Sequence, residues 1–255
     1  MKNIPSFFCL SCSLLRTIVI LEEWLLLSLE YCWLEGEGME NPKLYSAGKH
    51  LRTSGYWKRK RLFDLVGAVI LLFAFLPIFL LVSITILITS GRPVFFRQIR
   101  TGKDFKPFII YKFRTMAHSH SIKEEHVYNW DGMVPDHFVF KAKNDARTTA
   151  VGKLLRKYSL DELPQLFNVL IGEMSIIGPR PEIPAITKFY SRAQSERLSV
   201  KPGITGYAQI NGRSDINHGE KIKYDLYYVK NCGLGTDFRI VCMTVVKVIT
   251  GKGAY

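Results

Sequence analysis

The sequence predicts an α-rich α+β unit carried on a membrane anchor, and three observations lead there. Between Leu65 and Thr89 there are 25 consecutive residues without Asp, Glu, Lys, Arg or His, the length and apolarity of a segment in lipid. After it come two short runs that alternate apolar with basic residues, then several runs spaced at helical period. The chain's 255 residues carry a formal net charge of +13, which calls for an anionic partner: nucleic acid, an acidic membrane face or a phosphorylated substrate. This length permits one full-sized domain and an appendage.

Residues 1–57 read as an N-terminal extension. The first 38 are interrupted by Arg16, Glu22 and Glu23 and lack a small-residue cleavage site, so they make a poor signal peptide. The Glu/Gly tract before Met39 reads as a translated ribosome-binding site with Met39 as the native start; an added membrane helix over residues 10–34 is the competing reading. Cys9, Cys12, Cys32, Cys232 and Cys242 form no framework, and free thiols suit a cytosolic body.

Residues 58–91 are the anchor. As a straight helix, 25 uncharged residues would reach ~38 Å, enough for a ~30 Å hydrocarbon core. Pro77 removes a backbone donor near the middle and predicts a kink that leaves two halves, each too short to cross. Lys58, Arg59, Lys60 and Arg61 precede the segment, while Arg92, Arg97, Arg100 and Lys103 follow it. Basic flanks at both ends place both on the cytoplasmic side and hold anionic headgroups. A re-entrant helix meets both conditions; a kinked crossing helix is the alternative.

Residues 92–255 form the body. "PVFFRQIR" and "FKPFIIYKFRTM", separated by "TGKD", predict a β-hairpin. Residues 117–145 read as a polar surface loop in which His118, His120, His126 and His137 lack the companion carboxylate of a metal site. "TTAVGKLLRKYS", "DELPQLFNVLIGEM", "GEKIKYDLYYVKN" and "DFRIVCMTVVKVITG" predict amphipathic helices, some of them interfacial, and "VKPGITGYAQINGRSD" is turn-rich.

Within "YSLDELPQ" the adjacent carboxylates Asp161 and Glu162 admit two readings. Ser159 with Glu162 fits a capping box, and Asp161 as N-cap would put Pro164 harmlessly in the first turn. The other reading is a carboxylate working on phosphate. Lys153, Arg156, Lys157 and Arg180 lie close in sequence, and a cationic helix start both keeps a carboxylate ionised and attracts phosphate. Arg180 stands between two prolines, a rigid mount for a bidentate grip. Lys112 and Arg114 would share a face if "YKFRTM" is a strand.

Together "KRLFDLVGAVILLFAFLP", "GRPVFFRQIRTGKDFKPFIIYKFRTM", "LLRKYSLDELPQLFNVLIGEMSIIGPRPE" and "KPGITGYAQINGR" resemble the bacterial sugar transferases, monotopic phosphoglycosyl transferases that begin glycan assembly on a polyprenyl phosphate. The resemblance runs from about Lys58 to the C-terminus. It implies a Mg²⁺-dependent, two-step reaction at the cytoplasmic face of the bacterial inner membrane. Asp161 would attack a UDP-sugar and release UMP, Glu162 would share the metal with it, and Lys112, Arg114, Arg156, Arg180 and Glu182 would bind substrate. The product would feed downstream glycosyltransferases in capsule, exopolysaccharide, O-antigen or glycoprotein glycan synthesis. Two positions depart from the family: Leu76 stands where small members have Ser before the proline, and Asp145-Ala146-Arg147 replaces Asp-Pro-Arg. A membrane-tethered nucleic-acid binder is a rival without a reading helix, zinc spacing or RNP-like motif, so no nucleic acid is expected. A non-enzymatic scaffold is a second rival, and it leaves the Asp161–Glu162–Arg180 pattern unexplained.

Overall fold

The computed structural model describes residues 54–117, 128–130, 132–139, 147–212 and 216–251. The readings made on the N-terminal extension before Ser54, and on His118, His120, His126, Asp145 and Ala146, lie outside them.

Helix α1 (Ser54–Ser90) is 37 residues long and continues through Pro77, ~55 Å at the standard rise. It is long and apolar enough to cross a membrane by length and composition. Its buried positions, Tyr56, Lys60, Asp64, Ala68, Phe79, Val82, Ser83 and Ile86, recur at helical spacing and make one stripe on both sides of Pro77. The opposite face shows Leu62, Phe63, Val66, Ile70, Phe73, Leu81 and Ile88 to the surroundings. That is the reverse of a soluble core helix, which buries its apolar side chains.

The predicted hairpin is present: β1 (Phe95–Thr101) pairs antiparallel with β2 (Pro107–Phe113) from Phe95↔Phe113 to Thr101↔Pro107. Phe95 stacks on Phe113, with Phe79 of α1 against both. Helix α2 (Ala150–Lys157) is capped by Thr149, whose hydroxyl accepts from Gly152 N. Helix α3 (Gln165–Ile171) ends at Gly172 in the left-handed region, φ 105°, where glycine carries no Cβ penalty. The four predicted helices all form, but "DELPQLFNVLIGEM" splits into a tight turn at Leu160–Glu162 and then α3.

The turn-rich segment contains more than turns. Strand β3 (Ser175–Ile177) pairs in parallel with β4 (Gly203–Thr205), and Gly178 N and Gly203 N donate to Thr205 O and Pro179 O at 2.9 Å each. A Cβ at Gly178, Gly203 or Gly206 would strike the facing backbone, so the glycines of "GPRPE" and "KPGITG" allow these segments to touch. Between the strands lie the short helices α4 (Pro184–Thr187) and α5 (Arg192–Ser195). After β4 come α6 (Tyr207–Asn211), α7 (His218–Asn231), capped by Asn217, and α8 (Leu234–Thr250).

The loop expected to be polar has an aromatic interior in its described part. Tyr128, Trp130 and Phe138 pack on one another and, with Val134, on Ile183, Ile186 and Phe189. His137 is exposed, as expected for a solvated residue.

Candidate active site

The site begins with a side chain that joins two elements. Asn168 of α3 is fully buried; its Oδ1 accepts from Tyr111 N at 3.2 Å and its Nδ2 donates to Ile109 O at 2.7 Å. These bonds dock α3 on the backbone of β2 and bring Lys112, the next residue, against the turn that precedes α3. Ser159 enters that turn in the left-handed region, φ 55°, without a capping bond, and Pro164 is the N-cap of α3. Neither carboxylate holds the cap position, so the capping reading gives way.

Lys112 Nζ donates to Glu162 Oε1 at 3.0 Å, and Arg180 Nη2 donates to the same oxygen at 2.5 Å. Oε2 takes a longer contact, 3.4 Å from Arg180 Nη1, and keeps acceptor capacity. Burial would raise the Glu162 pKa, but the charges of Arg180 and then Lys112 outweigh it and hold the carboxyl well below its usual range. Glu162 in turn raises the Arg180 pKa. Burial lowers that of Lys112, with Glu162 opposing. Asp161 is buried, 9% exposed, and lies in the field of both cations, favouring their charged forms.

Arg180 is also fixed from behind. Arg197, with a fully buried side chain, donates from Nη2 to Arg180 O at 2.8 Å and to Asp225 Oδ2 at 2.5 Å, and from Nη1 to Tyr190 Oη at 2.7 Å. Glu182, two residues on, is buried and ion-paired to Lys221 of α7. Burial opposes its ionisation, yet Lys221 and Arg197 draw its pKa down to about 2. The structure thus joins Lys112, Glu162 and Arg180, with Asp161 in their field and Glu182 in a neighbouring pair. Arg156 lies on α2, which packs against the Leu160–Glu162 turn, and donates to the hydroxyls of Thr115 and Thr148.

Arg114 is placed elsewhere. β2 ends at Phe113, and the Arg114 guanidinium donates to the carbonyls of Ser90, Gly91 and Arg92. It closes the C-terminal end of α1, while Arg114 N donates to Val94 O at 2.9 Å and carries the hairpin pairing one residue past Phe113. Lys221, Arg197, Asp225 and Tyr190 had no signal in the sequence beyond the helical spacing of Lys221 and Asp225.

Fold and site together define a membrane-helix protein with a paired carboxylate set among cations, a geometry for handling anionic groups. The chain belongs to the bacterial sugar transferase family, whose pattern it matches over residues 55–251. It is 43% identical over 194 residues to the uncharacterized sugar transferase EpsL of Bacillus subtilis, covering 76% of this chain and 89% of that protein. To the exopolysaccharide production protein ExoY of Rhizobium meliloti it is 38% identical over 198 residues, 77% and 88% of the two chains. To the UDP-glucose:undecaprenyl-phosphate glucose-1-phosphate transferase of Klebsiella pneumoniae it is 41% identical over 204 residues, 77% of this chain but 41% of that longer protein.

Proposed function

We propose that this chain transfers a sugar phosphate from a UDP-sugar to polyprenyl phosphate at the cytoplasmic face of a bacterial inner membrane. The observation that carries this reading is the Asp161–Glu162 turn set against Lys112 and Arg180. In the first step an Asp161 carboxylate oxygen bonds to the β-phosphorus. The bond from that phosphorus to the bridging oxygen breaks, and UMP leaves with the oxygen. In the second step a polyprenyl phosphate oxygen attacks the same phosphorus and the aspartyl–phosphorus bond breaks. The carboxylate is restored and polyprenyl-diphosphate-sugar is released. Splitting one displacement into two is the gain of a covalent intermediate. Lys112 and Arg180 hold the phosphate oxygens, Glu162 aims both cations, and Arg156 and Glu182 complete the surroundings.

Mg²⁺ sites use one or two carboxylates with substrate phosphates and water. Asp161 and the open side of Glu162 Oε2 fit that requirement, and among the described residues no group of three such side chains would cage the ion alone. A bound Mg²⁺ would offset the charge of two anions brought together.

The packing of α1 supports the re-entrant anchor. Its first half meets the body at Asp64, which accepts from Ser175 Oγ at 2.9 Å and Ile176 N at 3.0 Å. Its second half meets the same body through Phe79 and the Ser90–Arg114 contact. A crossing helix would carry one half to the other side. Exposed Leu234, Phe238, Val245, Val246 and Ile249 on α8 suit a helix lying in the interface.

The test is intact-mass measurement after mixing the chain with a panel of UDP-sugars and no polyprenyl phosphate. The wild type should gain the mass of one sugar phosphate and release UMP with the accepted sugar. Asp161→Asn should do neither while melting near the wild-type temperature. Wild-type turnover by D161N would overturn the assignment.

A further inference from the structure

Away from Asp161, the first turns of α1 border a cavity of about 340 Å³, lined among others by Trp57, Arg61, Asp64, Lys103 and Lys201. Small-ligand pockets begin at about this size, ~300 Å³. It lies by the turn of the hairpin, which carries Lys103, whereas Lys112 pairs with Phe96 near the open end.

Its charge is unbalanced. Lys60 on the wall is neutralised by Asp237 at 3.0 Å. Arg61 bonds to carbonyls that close α3, Val169 O at 2.6 Å and Leu170 O at 2.9 Å, which leaves its charge uncancelled. Lys103 meets the exposed Asp104 only at 3.9 Å. Lys201 Nζ forms no ion pair among the described residues. Asp64 is the acid that lines the cavity, facing three such cations.

The cations also converge. A Cβ built on Gly172 would lie 3.3 Å from Arg61 Nη2 and 3.5 Å from Lys201 Nζ, so both heads crowd one point. Burial first, then the charge of Arg61, lower the Lys201 pKa; Asp64 opposes them and Lys103 adds to them. Like charges gathered in a concave site are relieved by an anion. A guanidinium flanked by two ammonium groups suits the several oxygens of a phosphate.

We propose that the cavity at the foot of α1 binds a phosphate-bearing anion between Arg61, Lys103 and Lys201. The exposed apolar residues Leu62 and Phe63 beside it would bring a lipid headgroup to the site, and free phosphate shares the same chemistry.

The test uses the full chain in detergent and reads its unfolding temperature, not turnover, against dihexanoyl phosphatidylglycerol and separately against inorganic phosphate. It is run in the D161N background, so failure of the proposed reaction cannot imitate failure here. K103Q/K201Q is compared with K188Q/K230Q, which removes two charges from exposed positions elsewhere. The first pair should need at least about tenfold more phosphatidylglycerol for the same shift, the order expected from losing a charge-assisted contact. The second pair should match its parent. Loss confined to phosphatidylglycerol identifies a lipid headgroup; loss with both probes extends the site to free phosphate. An unchanged response in K103Q/K201Q, or an equal loss in K188Q/K230Q, overturns the proposal.

Discussion

Arg180 is gripped at both ends: Glu162 holds the guanidinium and Arg197 holds the carbonyl. Arg180→Lys should therefore leave the backbone in place and remove only the planar fork. Losing a charge-assisted bond of ~1.5–3 kcal/mol lowers kcat/KM roughly tenfold to hundredfold, with UMP release as the assay. Wild-type kinetics would take Arg180 out of phosphate binding. A second residue sets a pH limit on stability. His218 is 2% exposed, neither ring nitrogen has a hydrogen-bond partner among the described residues, and Phe138 and Tyr190 flank it. Glu182 and Asp136 face it with Lys221 and Arg197; burial, then the Lys221 charge, lowers its pKa to about 4. A histidine pKa depressed by folding means that the unfolded chain takes the proton first. Stability is full above the unfolded value of ~6.5 and falls by about 3 kcal/mol as pH drops towards 4. His218→Phe should flatten that slope and melt at or above the wild-type temperature at pH 5, because an apolar ring leaves no nitrogen unpaired. A wild-type slope in H218F would assign the acid limb to other groups. Asp161, Glu162 and Arg180 were legible because one compact motif carries them all. Arg197, Lys221 and His218 were not, since what each does depends on contacts with residues from distant segments. That the Arg114 guanidinium closes the end of α1 was not legible either, because the carbonyls it meets precede it by more than twenty residues.

At the scale of elements, α1 is joined to α8 through one carboxylate. Asp237 accepts from Tyr56 Oη at 2.9 Å, Lys60 Nζ at 3.0 Å and Tyr228 Oη at 2.8 Å. Asp237→Asn removes the carboxylate ion-paired to the buried Lys60 ammonium, whose side chain is 5% exposed, and leaves it only the more distant charge of Asp64. Breaking a buried pair from one side costs ~3–5 kcal/mol, so thermal unfolding in detergent should begin many degrees lower. An unchanged melt would mean that Lys60 finds another partner. Periodicity disclosed the long helices and the hairpin, since each depends on its own residues. The β3–β4 pair stayed hidden because two three-residue strands carry too few side chains to show alternation, and their pairing depends on glycines far apart in sequence. The carboxylate motif suggested a cap for a related reason: Ser-x-x-Glu spacing does not register that Pro164 shifts the helix start to Gln165.

For the whole molecule the test concerns sidedness. In a cysteine-free background, Lys58→Cys and Lys106→Cys should both react with a membrane-impermeant thiol reagent in inverted vesicles and stay unlabelled in intact spheroplasts. Labelling of the Lys58 position from outside would favour a crossing helix, and the Asp161 chemistry would survive that result. The anchor was legible because 25 uncharged residues admit few alternatives. How it docks was not, because the partners of Lys60 and Asp64 on the docking stripe, Asp237 for the one and Ser175 and Ile176 for the other, lie more than a hundred residues away.

That docking has a mechanical consequence. With Asp237 clasping the start of α1 and Arg114 its end, the helix can neither rotate nor slide without breaking the buried Lys60–Asp237 pair or uncovering carbonyls. It acts as a keel joined rigidly to its hull. With the re-entrant anchor proposed above, the draught at which the protein floats would be a property of the fold, and lipids of different length would deform around it. A carrier phosphate and a soluble nucleotide would meet at a height set by the protein rather than by the bilayer.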